Sequence, residues 1–516
     1  VSVPPTSPFY GTSLPPYDAV VRHHLLDPSD EGLRAVRDAA PEDDVIRLLN
    51  TGLMLHRLGR YEESNDTLQR AERIATDRYT RSLLQDLATL VVSDNVVDYQ
   101  ASALERSMIH YYGMLNYLAL SEPEEALVEA RRANALLRRY ANDFPERSFV
   151  NDASVQYMAG MLQWGEREEN DAIVSLRAAL AGYDEYDRHY GLRIPEPAAV
   201  DVARVASAVG LDAVAEQVVA RELPNREAEA REPARGSDFG DVLLVVENGF
   251  IAYKRQQKLF VPILKSERDA VLSGGTTAAL SASFDIILRT VIVMTQMSRE
   301  GQDYVQAHED GVTFVSGALS AVGLELITMA WATYEPGTRR ATDIRVSTPD
   351  GRSWAPTVME DLSAIAVRDF EERKTSMLVR MTARTLLKEV GVIQSERAGE
   401  RAGGVLGGLA ARVAARTVAN ATERADTRSW SGLPAELLLT RLRLPPGQHE
   451  LVVEYRGITG PARKTVTVDV VAGSVVLATV AVVGRDDWDR DRLRRAESNV
   501  KYSVPPRTAR ATPPRH

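Results

Sequence analysis

Apolar positions along this chain change their period once, near residue 240. Before it they recur every three to four residues, the spacing of one helix face, and after it runs of strand length enter. The helical pattern is clearest around Ala103–Leu120 and Glu124–Tyr140, two runs separated by Ser121-Glu122-Pro123, which predicts an antiparallel helix pair with a proline restart. In the second run Ala126, Ala130 and Ala133 form a stripe of small residues, so a neighbouring helix is expected to approach closely there. Glu124, Glu125, Glu129, Arg131, Arg132, Arg138 and Arg139 make up the other face, expected to be solvated.

The same pattern recurs. LLNTGLMLHRLGRYEESNDTLQRAERIA carries Gly52, then Gly59 and Tyr61 at a turn, then Ser64, Leu68 and Ala71. SVQYMAGMLQWGEREENDAIVSLRAALAGY places Gly160, Ala172, Leu176 and Ala179 in the same relative order, and VDVARVASAVGLDAVAEQVVARELP keeps the Gly210 turn. With Tyr117 preceding Ala126, the spacing fits a tetratricopeptide (TPR) type of repeat with insertions between copies, whose helices cannot bury their apolar faces alone. A short curved α-solenoid of three to four pairs is predicted, a shape that usually binds protein segments.

After a polar stretch, NREAEAREPARGSDFG, the pattern turns mixed. DVLLVVENG reads as a strand ended by Asn-Gly, KLFVPIL as a second, and Leu324–Tyr334 and Ile344–Thr348 as further strands, the last ending at Pro349-Asp350-Gly351. Ala278–Met297 is helical in pattern; an apolar run Leu362–Arg368 then leads into a long helix, Phe370–Val390, apolar on more than one side. Gly403, Gly404, Gly407 and Gly408 continue into an alanine stripe, read either as a glycine zipper or as a helix packed closely on its own sheet. Leu437–Val483 is β, expected to be a meander with a hairpin about Pro445-Pro446-Gly447 and another about Ala472-Gly473. The expected fold class is multidomain α+β: a tether at 1–22, a TPR-like α-solenoid at 23–223, a linker at 224–240, a mixed α/β region at 241–430, a C-terminal β-meander or sandwich at 431–485 and a disordered tail at 486–516.

Composition narrows the chemistry. The chain has 516 residues and a net charge of −10, with basic residues spread throughout, so nothing calls for nucleic acid. It has no cysteine, which rules out thiolate metal sites, disulfides and thiol nucleophiles in this sequence. The most apolar long stretch, Thr276–Met297, contains Asp285 and Arg289, so no membrane-spanning helix is predicted. There is no HExxH, no GxSxG, no Walker-type loop followed by Lys-Ser or Lys-Thr, and no GxGxxG after a strand. His23-His24 reads as a surface pair, and the acids of VRDFEERK as charges at a helix start. No catalytic residue, cofactor or metal ligand is expected. The proline-rich beginning, VSVPPTSPFYGTSLPPYD, is what would follow an acylated cysteine; an arbitrary start is the competing reading.

Five segments in order, DYQASALERSMIHYYGMLNYLAL with EEALVEARRAN, VVENGFIAYK, AIAVRDFEERK and ADTRSWSGLPAELLLTRLRLPPGQHEL, resemble an uncharacterised family of bacterial TPR-containing envelope lipoproteins. The resemblance covers roughly Asp98 to Leu451. It implies a lipid-anchored, periplasm-facing protein of the outer membrane, a non-enzymatic protein-binding scaffold with a link to cell-wall synthesis, and it carries over no catalytic residue. Tyr111, Asn116 and Tyr117, on the first helix of the central pair, are the candidate partner-binding residues: tyrosine offers a large rigid surface with a polar tip, and asparagine can bond an extended backbone. The competing expectation for all three is packing between helices. Two other functions stay open, an enzyme with its site in Asp241–Trp430 and a cytoplasmic TPR adaptor.

Overall fold

The computed structural model describes residues 14–40, 44–82, 99–144, 147–149, 151–234, 238–272, 285–286, 289–290, 324–335, 340–374, 377–378, 381–382, 398, 401–402, 404, 425–457 and 460–484. The fold is mixed α+β, helices first and strands in sheets after them. The helices are α1 (Pro16–Leu26), α2 (Asp30–Asp38), α3 (Val45–Arg57), α4 (Tyr61–Ser82), α5 (Ala103–Ala119), α6 (Pro123–Asp143), α7 (Ala153–Gly165), α8 (Glu169–Tyr190), α9 (Glu196–Ala208), α10 (Asp212–Glu222) and α11 (Glu227–Ala230).

From α3 to α10 each helix packs on the next. Four pairs, α3/α4, α5/α6, α7/α8 and α9/α10, are closed by one and the same turn. The first helix ends at a residue with left-handed backbone, Gly59, Ser121, Arg167 or Gly210. The residue after it donates its N–H five positions back: Arg60 to Leu55 at 2.9 Å, and Glu122 to Tyr117, Glu168 to Gln163 and Leu211 to Ala206 at 2.8 Å. This bond satisfies a carbonyl that the helix end leaves orphaned. Glycine accepts the left-handed conformation without cost; Ser121 and Arg167 hold it at φ 62° and 65°.

The contact inside each pair is set by residue size. A Cβ on Gly52 would lie 2.5 Å from Leu68 Cδ2, and one on Gly160 would lie 2.7 Å from Leu176 Cγ, so each glycine is the hollow that takes the leucine sixteen residues later. The equivalent positions of the central pair are Met114 and Ala130, both buried, with large and small exchanged. Ala126, Ala130 and Ala133 are buried as the small-residue stripe predicts. Glu129 is not on the solvated face as expected: it is 4% exposed and pairs with His110 at 2.7 Å.

The β region is organised differently from a meander. Its strands are β1 (Gly240–Asn248), β2 (Tyr253–Leu264), β3 (Leu324–Glu335), β4 (Thr342–Ser347), β5 (Ser353–Trp354), β6 (Thr357–Glu360), β7 (Glu436–Leu444), β8 (Gly447–Gly457), β9 (Gly460–Val470) and β10 (Val475–Val482). A short helix, α12 (Lys265–Leu272), follows β2, and another, α13, spans residues 362–374. One sheet has the order β10-β1-β7-β6 and a second β5-β4-β8-β9, while β2 and β3 pair alone. The chain therefore changes sheet at Pro445-Pro446, and again between β9 and β10 about Ala472-Gly473; neither turn makes the predicted hairpin. Prolines without an N–H suit such a crossing, and the hairpin that does form is β8 with β9.

Because β1 pairs with β7 antiparallel and β10 parallel, strands from both sides of the expected boundary at 430 share one sheet. Alternation along β1 then builds three layers. Val242, Leu244 and Val246 face the second sheet and pack with Leu451, Val453, Val468 and Val470. Leu243 and Val245, with Leu437 and Leu439 of β7, join the core of the helices. Every residue of β1 is buried, which is why DVLLVVEN is continuously apolar in its middle.

The ends of the helical region also differ from expectation. Residues 16–22, read as tether, belong to α1, where Pro16 occupies the first turn and Asp18 and Arg22 are buried. In the expected linker, α11 forms and Arg204 donates to the carbonyls of Glu232 (3.2 Å) and Pro233 (2.9 Å). Leu362–Arg368 belongs to α13, so that helix starts earlier than predicted. Ala278–Met297, the end of the Phe370–Val390 helix, the glycine-rich stripe and the tail 486–516 lie largely or wholly outside the described residues.

Candidate functional site

The densest polar chemistry of the described residues lies between the helices and the strands. It is a set of buried carboxylates, four of which, Glu247, Glu360, Asp201 and Glu105, accept a tyrosine hydroxyl. At the end of β1, Glu247 accepts Tyr111 at 3.0 Å and Tyr112 at 3.3 Å and pairs with Arg57 of α3. The Glu247 side chain is 0% exposed and Arg57 16%. Burial, then the Glu247 charge, push both tyrosines well above their usual range, so they stay protonated donors.

The second joint is at β6. Glu360 accepts Tyr186 Oη at 2.8 Å and bonds Ser154, whose Oγ also lies 3.0 Å from Asp152 Oδ1. Ser107 donates to the other Asp152 oxygen at 2.6 Å. Burial, and then the Asp152 charge, push the Glu360 carboxyl well above its usual range, and burial pushes Asp152 up as well. The third joint is at β7, where Arg441 binds Asp201 of α9 at 2.5 Å and Asp241 of β1 at 2.7 Å, and Tyr157 donates to Asp201 at 2.8 Å.

The fourth joint grows out of a helix cap. Ser102 and Glu105 form a capping box at the start of α5, and the same Glu105 carboxylate accepts Tyr99 Oη at 2.6 Å and the Trp430 N–H at 2.7 Å. Beside it, Arg22 donates to the carbonyls of Ser431 (3.0 Å) and Ile251 (2.6 Å). Lys254, whose ammonium is pushed below its usual range by burial, donates to the Arg428 carbonyl at 3.0 Å.

These joints place the predicted partner-binding residues. Tyr111 and Asn116 are 0% exposed. Tyr111 is spent on Glu247. Asn116 Oδ1 accepts from His56 Nδ1 at 2.6 Å, and Asn116 Nδ2 donates to Ser64 Oγ at 2.9 Å and Asn65 Oδ1 at 2.8 Å, locking α5 to α3 and α4. Tyr117 is half-buried, and its hydroxyl takes Gln69 Nε2 at 3.2 Å. The inner face of the helices is thus covered by the chain's own β1 and β7, and Tyr111 and Asn116 are closed to an incoming peptide in this structure. Sequence reasoning missed Glu247, the acid that binds Tyr111. It did leave a signal, a charge at the end of a run that is otherwise apolar and must be buried.

Converging carboxylates also occur, at Asp152 and Glu360, but both are 0% exposed and bound on all sides by Ser107, Ser154 and Tyr186. An open depression of about 580 Å³ lies elsewhere, lined by Asp343, Glu454, Arg456 and Arg463 among others. His23 and His24 stand edge to face at 4.9 Å at the end of α1. Among the described residues no group of three or more His, Asp or Glu is placed to hold a metal ion, and no helix is long and apolar enough to cross a membrane. Comparison with known proteins returns no match from family models, curated proteins or solved structures.

Proposed function

We propose that this chain is a non-enzymatic scaffold of the bacterial cell envelope, a TPR-like α-solenoid held against its own β-sheets and anchored by lipid upstream of Val1. One observation carries the scaffold part: three acid and tyrosine joints bind the helices to β1, β6 and β7, and a fourth binds them to Trp430 ahead of β7, each about a buried carboxylate, so the chemistry concentrated there serves rigidity. Partner binding then falls to the outer side of the second helices. There Arg131, Arg138 and Arg139 of α6 are exposed, and Val174 of α8 is 67% exposed.

The envelope part rests on the five-segment resemblance and is tested separately. The full-length precursor should incorporate palmitate and sediment with membranes; an unprocessed soluble form with an initiating Met overturns the anchor. For the scaffold, envelope extracts are passed over the wild type, over Arg131→Glu/Arg138→Glu/Arg139→Glu, and over Tyr111→Phe. A partner retained by the wild type and Tyr111→Phe, and lost from the triple variant, is the expected result. Loss from Tyr111→Phe alone, with its folding intact, returns the working surface to the inner face and overturns this reading.

A further inference from the structure

Four strands bound the two large sheets, and three of them are poor templates for further pairing. β5 has two residues, and β6 has four with a register shift between Val358 and Glu360. β9 carries Pro461, Arg463, Lys464 and Asp469. Short length, bulges, proline and charge are the usual means of keeping sheet edges from pairing. The fourth, β10, has none of them: VVLATVAV is eight residues long, uncharged, and free of proline and glycine.

The register shows which of its peptide groups are free. Asp241 N–H donates to Ser474 O and Gly249 N–H to Val482 O, both at 2.9 Å, and β1 runs parallel to β10 with Asp241 opposite Val475. Even-numbered residues of β10 therefore bond β1, and Val475, Leu477, Thr479 and Ala481 turn their N–H and C=O outward. Among the described residues one of these outward groups is occupied: Lys464 of β9 donates its ammonium to Ala481 O at 2.7 Å. The side chains are already placed, Val475 and Leu477 against the helix core and Val476 and Ala478 against the second sheet. What remains for a partner is the backbone edge.

We infer that β10 is a self-association edge, pairing antiparallel with β10 of a second copy across a two-fold axis at Ala478. In that register Val475 meets Ala481 of the second copy and Leu477 meets Thr479, each facing pair exchanging two backbone hydrogen bonds. The occupant follows from charge. Every residue of β10 is uncharged, so an antiparallel pair of β10 strands brings no like charges together. Small residues fall at the axis, Ala478 on Ala478, with Val476 beside Val480. The sheet order becomes continuous from β6 of one copy to β6 of the other.

The test is sedimentation of the whole chain over a concentration series. The wild type should dimerise, and more tightly as salt rises, because the strand contributes no charge pair while each chain carries −10. Thr479→Pro removes an outward N–H and no bond to β1, so it should fold and weaken the dimer roughly tenfold to a hundredfold. Lys464→Met frees the Ala481 carbonyl and should tighten it. Hydrogen exchange should slow with concentration at Val475, Leu477, Thr479 and Ala481 and stay constant at Val476, Ala478 and Val480. A wild type that stays monomeric at every concentration overturns the proposal. So does a dimer indifferent to both substitutions, or one whose exchange protection appears elsewhere; a dimer lost in Thr479→Pro with the protein unfolded is judged on Lys464→Met and the exchange pattern.

Discussion

Replacing Glu247 by alanine tests whether the helices and the sheet fold as one unit. The carboxylate is 0% exposed and holds three donors, Arg57, Tyr111 and Tyr112. Breaking a buried ion pair from one side costs about 3–5 kcal/mol. Arg57 keeps 16% of its side-chain surface exposed, so water can reach it and the lower figure, about 3 kcal/mol, applies. Each tyrosine hydroxyl left buried without an acceptor adds about 1 kcal/mol. The expected loss is about 5 kcal/mol, comparable with the whole stability of many domains.

Urea unfolding followed by far-ultraviolet circular dichroism reads the helices; fluorescence reads Trp430, 1% exposed and 5.9 Å from the Tyr112 ring, once the other four tryptophans are replaced by Phe in every protein compared. In the wild type the two signals should fall together. Arg57→Met/Glu247→Met removes both charges and leaves the two hydroxyls, so it should cost about 2 kcal/mol, less than Glu247→Ala alone. A loss below about 1 kcal/mol for Glu247→Ala, or a double variant no better than the single one, would refute the reasoning: the carboxylate would then be solvated and the joint would not hold the layers.

Three further outcomes follow from other parts of the molecule. Burial pushes Asp18 up to about 6, so the stability it contributes is full below the ordinary carboxylate range and is lost as pH rises through 6; Asp18→Asn, which keeps the bond to Ser431, should abolish that loss in urea midpoints measured across pH 4–8. His56, pushed down to about 4 by burial and then by Arg57, acts in the opposite sense as pH falls from the ordinary histidine range toward 4, so only the difference between variant and wild type isolates Asp18. Arg167→Gly relieves a left-handed residue at φ 65° and should raise stability by about 0.5–1 kcal/mol, whereas Gly59→Ala at the equivalent turn should lower it by about 1 kcal/mol, both read as shifts in urea midpoint at unchanged slope. Ala130→Leu should cost about 1–3 kcal/mol by overpacking, and adding Met114→Gly should recover most of it, because the double variant copies the sizes found at Gly52/Leu68 and Gly160/Leu176.

Local pattern revealed the elements and concealed their partners. The helix pair about Ser121-Glu122-Pro123 was readable because its periodicity, break and small-residue stripe all lie within a few turns. The αL position at Arg167 was not, since nothing in Glu166-Arg167-Glu168 advertises a turn; only its place seven residues after Gly160, as Gly59 follows Gly52, does. α1 was hidden by its own start, because Pro15-Pro16 reads as tether until the second proline is placed in the first helical turn, followed by Tyr17, Val20 and Val21. Pro445-Pro446-Gly447 looks like a hairpin locally. Which sheet each flanking strand joins is decided by residues two hundred positions away, when β1 takes β7.

The same distance explains the burial of Tyr111 and Asn116. On a first helix, a rigid tyrosine surface and an asparagine amide suit peptide capture and packing between helices alike, and such polar groups need partners in either case. A repeat array offers its inner face either to another molecule or to the rest of its own chain, and sequence periodicity does not separate the two. Here the chain's own strands meet the polar groups of the helices: β1 with Glu247 on Tyr111, β6 with Glu360 on Tyr186, and β7 with Arg441 on Asp201. A peptide competing for that face would have to displace β1 and β7, whose backbone is already paired on both sides and whose side chains fill two cores. Recognition is therefore cheaper at the surfaces that folding leaves incomplete, the exposed side of α6 and α8 and the outward peptide groups of β10, and those are where substitutions should change binding without changing the fold.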